Sequence, residues 1–91
     1  MKLYWMERKA GQQLVLEDDE GNRHEMGAVR STKRGFDAFA TTNTYDPSRA
    51  QRGIDTMEDA KIFVESHRPW ELFIGPAPMQ VEEEVHPAPE P

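Results

Sequence analysis

The chain contains no cysteine, which removes disulfides and thiolate metal sites and points to a reducing compartment. Long apolar runs are also missing. Stretches such as Leu14-Val15-Leu16 and Leu72-Phe73-Ile74 fall far below the ~20 residues that span a bilayer. The opening MKLYWMERK meets Glu7 and Arg8 too early to form a secretory apolar segment, so the expected location is the cytoplasm. The six glycines are scattered singly, and no loop of the phosphate-cradling kind can be assembled from them.

What is present is charge, unevenly spread. Of the formal net charge of −6, −4 belongs to residues 75–91, which hold Glu82, Glu83, Glu84 and Glu90 and no lysine or arginine. The rest of the chain is nearly neutral. Five of the seven prolines (76, 78, 87, 89 and 91) fall in the same stretch, and alternating proline favours extended chain over helix or central strand. With only Met79, Val81 and Val85 to bury, 76–91 is read as a disordered, dispensable tail, either solubilising or carrying a linear motif. Residues 1–75 are then one domain with a small core.

Within that domain KLYWMER and QLVLE alternate in the manner of strands, separated at Ala10-Gly11. EDDEGN supplies a turn, RHEMGAVRS a third strand, and GFDAFATTNTY a fourth, joined around Lys33-Arg34-Gly35. Connections this short join antiparallel neighbours, giving a β-meander. YDPSRAQRGID reads as a loop because Pro47, Ser48 and Gly53 break both periods. A helix follows, capped by Thr56 or Asp55, with Met57, Ala60, Phe63, Val64 and His67 on one face. Pro69 ends it, and WELFI is read as a short fifth strand over 70–74. The predicted fold is α+β: an antiparallel four- to five-stranded meander packed on one helix, ββββα(β). Leu14, Leu16 and Phe39 should face Phe63 and Val64 across the core.

The stretch GIDTMEDAKIFVESH, with GFDAFATTNT before it, resembles the small meander-plus-helix proteins of bacteriophage and prophage genomes of proteobacteria. The resemblance covers about residues 35–68. Members are mostly of unknown activity, so it implies an architecture and a phage-encoded, host-modulating context, and it carries over no catalytic residue.

A search for chemistry returns little. Ser31, Ser48 and Ser66 stand in no nucleophile elbow. His24, His67 and His86 have no metal-ligand spacing. Placing Gly21 sixth in a calcium loop puts Leu16 first and Gly27 twelfth, where oxygen ligands are needed. The expectation is a protein that is not an enzyme and uses no cofactor or metal.

The turns are more informative. In a meander, alternate turns lie at one end of the sheet, so Arg8 and Lys9 should meet Arg30, Lys33 and Arg34 in a basic tip. Glu17, Asp18, Asp19 and Glu20 should lie at the opposite end, and the loop bearing Arg49 and Arg52 should return there. The tip is either a solvated pair of hairpins or a binding site. The leading reading is a protein-binding protein. The alternatives are a nucleic-acid-binding module using the tip, which lacks interleaved aromatics, and a self-assembling protein or homodimer pairing through an edge strand.

Overall fold

A computed structural model of the chain describes residues 1–44, 46–76 and 78–89. Tyr45, at the end of the expected fourth strand, and Ala77, Glu90 and Pro91 of the expected tail lie outside the described residues. The elements are β1 (Lys2–Arg8), β2 (Gly11–Glu17), β3 (Arg23–Thr32), β4 (Gly35–Ala40), β5 (Ala50–Ile54), α1 (Met57–Ser66) and α2 (Glu71–Ile74). The five strands form one antiparallel sheet in chain order. The architecture is thus the expected meander packed on a helix.

Two assignments are corrected. The fifth strand lies before the helix, at Ala50–Ile54, inside the stretch read as a loop. Residues 71–74 form a single helical turn. Pro69 and Trp70 are buried, Ile74 is partly buried, and Leu72 and Phe73 are exposed. Burial at i and i+4 is helical spacing; a strand would have buried alternate residues.

One face of the sheet packs on α1. Its core joins Leu3, Trp5, Leu14, Leu16, Met26, Val29, Ala38 and Ala40 to Ala60, Val64 and Trp70. A bulge in β3 makes room for the helix: Leu14 pairs with Gly27 and Val15 with Glu25, with Met26 as the extra residue. A Cβ on Gly27 would lie 2.5 Å from Val64 Cγ1 and 2.6 Å from Phe39 O, so only glycine admits this approach. Phe39 itself is a correction. It lies on the sheet face away from the helix and is 41% exposed. Phe63, expected on the core face of the helix, does pack against the core but is only partly buried and stands edge-on to His67; Ala60 and Val64 are the fully buried residues of α1.

The helix is terminated as its sequence suggests. The Thr56 side chain accepts a hydrogen bond from Asp59 N at 3.0 Å, the N-cap arrangement that satisfies an end donor. At the other end, before Pro69, Arg68 takes φ 48, the left-handed turn that commonly closes helices.

Part of the expected tail also differs from its reading as disordered chain. Residues 79–86 lie along the outer edge of β1. Glu82 N donates to Leu3 O, His86 N to Trp5 O, and Glu7 N to His86 O, each at 2.8 Å. Met79, Val81 and Val85 pack against the main core. The His86 ring stacks on Tyr4 on the opposite face, 3.8 Å between centroids. The segment is a strap that crosses the sheet edge. The physical reason lies in β1, where Leu3, Tyr4, Trp5 and Met6 are all buried. A strand apolar on both faces must be covered on both.

Candidate functional site

The meander brings the predicted cations together. Arg8 pairs across to Gly11, Gly11 to Arg30, and Arg30 to Asp37, so both arginines stand on one rung. Ser31 N donates to Ala10 O at 2.7 Å, which ties the β1–β2 turn to the β3–β4 strand pair. Thr32 shapes the second turn: its Oγ1 donates to Gly35 O at 3.1 Å and accepts from Arg34 N at 3.2 Å. Arg8, Lys9, Arg30, Lys33 and Arg34 are all exposed. None of them forms an ion pair among the described residues. The two acids nearest them in sequence accept from neutral donors and lie in no ion pair among the described residues: Glu7 Oε1 accepts from Gln12 Nε2, and Asp37 Oδ1 accepts from Gly53 N at 3.1 Å.

The opposite end is paired in part. Asp19 holds the N-terminal amine at 2.7 Å, Asp18 holds His24 at 3.0 Å, and Arg23 lies 3.7 Å from Glu17. Hydrogen bonds from His24, and from the backbone N–H groups of Asn22 and Glu20, hold the Asp18 carboxyl below its ordinary value. Arg49 does return to this end, donating to Thr41 O at 2.8 Å. Arg52 does not; it belongs to β5 and lines a groove with Arg30.

That groove was missed in the sequence. It lies on the helix-free face between β3, β4 and β5, about 290 Å³ in volume, with Phe39, Ala28 and Ala50 as apolar lining and Arg30, Arg52 and Asp37 as charged lining. One signal was available. Phe36 and Phe39 are three residues apart on one strand, and an odd separation sends them to opposite faces. Phe36 packs with the core, so Phe39 had to point outward.

Elsewhere the geometry is structural. Trp5 Nε1 donates to Glu65 Oε2 at 2.9 Å, and Lys61 Nζ lies 5.2 Å from the Trp5 ring. Desolvation lowers the Lys61 pKa, against the opposing pull of Glu65 and Glu7. Among the described residues no group of three or more potential ligands is placed to hold a metal ion, and no helix is long and apolar enough to cross a membrane. No family model matches the chain, and neither a curated protein nor a solved structure matches it.

Proposed function

We propose that this chain is a small non-enzymatic binding protein of the cytoplasm whose basic sheet end engages an acidic surface of a protein partner. The observation that carries this reading is the contrast in pairing. Five exposed cations gather at one end without an ion-pair partner among the described residues, while at the acidic end the N-terminal amine and Arg23 each lie beside a carboxylate. Exposed charge adds little to stability, so a cluster left unpaired is available for steering and recognition. The resemblance over residues 35–68 supports a phage- or prophage-encoded origin and a host-directed role.

Nucleic acid is the second reading, favoured by exposed Phe39 beside Arg30 and Arg52. Against it, Asp37 interrupts the cationic surface, a single aromatic gives one stacking position, and the chain as a whole carries −6. Capture from host lysate with wild type and with Lys33→Glu/Arg34→Glu tests the proposal. The wild type should retain a discrete protein that the double variant loses, with the melting curve unchanged. Equal capture by both overturns the reading. Retention of oligonucleotide that collapses between low and moderate salt selects the nucleic-acid reading.

A further inference from the structure

The two edges of the sheet are in different states. The outer edge of β1 is hydrogen-bonded by the strap at 79–86. The outer edge of β5 has no strand beyond it. Among the described residues, no loop or tail backbone bonds to Gln51–Ile54. Such an edge offers backbone donors and acceptors to an added strand.

The surroundings of β5 say what that strand should be. An added strand sends alternate side chains to opposite faces, and β5 has a groove on each. On the helix-free face the groove sets Phe39 and Ala50 beside Arg30 and Arg52, with Asp37, whose Oδ1 accepts from Gly53 N, on the strand between the two arginines. On the helix side a second groove, about 350 Å³, is lined by Ile54 and Phe63 together with Gln51, Gly53, Asp55 and Asp59. The first suits carboxylates over a short apolar floor. The second repels carboxylates through Asp55 and Asp59 and offers apolar contact at Ile54 and Phe63. We infer that β5 accepts an extended partner segment alternating acidic and apolar residues, acids toward Arg52 and apolar side chains toward Ile54 and Phe63.

At β1 the chain's own 79–86 segment already bonds a sheet edge, through one isolated bridge between Met6 and His86 and a backbone donor from Glu82, while Val81 and Val85 pack on the core. A second copy paired symmetrically through β5 is disfavoured. Arg52 is the central residue of Ala50–Ile54, so a two-fold axis there sets it against its own copy, and like charges directly opposite destabilise a ladder. The inference rests on reading the chain as a protein-binding module, and it names the partner's chemistry and mode of attachment.

The test uses the full chain, ¹⁵N-labelled, titrated with a capped peptide alternating glutamate and valine. Signals of Gln51–Ile54 should shift and their amide exchange should slow. The same peptide N-methylated on alternate amides should not bind, and Arg52→Glu should weaken binding at least about tenfold without altering the wild-type fold elsewhere in the spectrum. Failure of the peptide to bind overturns the inference. So does binding that is insensitive to N-methylation and shifts only residues 8–9 and 30–34, an outcome that leaves the basic-end reading standing. Concentration-dependent dimerisation that protects β5 without peptide also overturns it, in favour of self-pairing. Conversely, peptide docking on β5 together with lysate capture unaffected by Lys33→Glu/Arg34→Glu removes the basic end and keeps the edge.

Discussion

The β1 and β5 edges of one sheet solve the same problem in opposite ways. An edge strand exposes backbone polar groups and invites pairing. At β1 four consecutive apolar residues are buried, Trp5 is anchored to Glu65 on the helix, and the strap closes the backbone. At β5 the first four residues are exposed, and the strand is bent at Gly53, which takes φ 70 and donates to Asp37. Burial of side chains thus accompanies the covered edge. The open edge is short and charged, features that discourage indiscriminate pairing while leaving it accessible to a matched strand.

Trp5→Ala should produce the largest effect, about 3–5 kcal/mol, because it removes the largest fully buried side chain of the core and strands the Glu65 carboxylate. Urea denaturation measures it; a loss under about 1 kcal/mol would mean that the β1 edge is not the sheet's anchored side. Truncation after Gly75 should cost about 2–4 kcal/mol, since it uncovers Tyr4 and Met6 and removes Met79, Val81 and Val85. The sequence alone suggested no loss, so an unchanged midpoint would restore the dispensable-tail reading and erase the difference between the edges. Gly53→Ala should cost about 1 kcal/mol through its left-handed backbone, with no steric term, as the nearest atom to the added Cβ is 3.8 Å away. Arg52→Ala should change stability by less than about 0.5 kcal/mol while weakening peptide binding at β5. A destabilisation comparable with that of Trp5→Ala would show that β5 is as much part of the core as β1.

Much of the architecture was legible locally. Short turns specify neighbouring antiparallel strands, and from that topology alone Arg8 and Lys9 come to the same end as Lys33 and Arg34. The Thr56 cap and the Ala60–Val64 face follow from spacing within a few residues. What was not legible depends on contacts between distant segments. Ala50–Ile54 carries Gln51, Arg52 and Gly53, poor strand formers by composition, and becomes a strand because β4 offers a ladder beside it. Trp70 and Ile74 could have alternated in a strand, but Pro69 and the left-handed Arg68 direct the chain into a helical turn that buries them together.

The alternation of apolar residues, the turn glycines and the helix cap determined by themselves that this chain is a meander with one covering helix and a basic end, because those signals act within a turn or between adjacent strands. Only the tertiary structure decided that Phe39 would stand in an open groove, that β5 would be the free edge, and that an acidic segment flanked by prolines would bind the other. Each of these depends on which surfaces remain uncovered after packing. Val81 and Val85 are too few to fold alone, yet they find Leu3 and Trp5 already arranged by the sheet, and that prior ordering lowers the entropy cost of placing them.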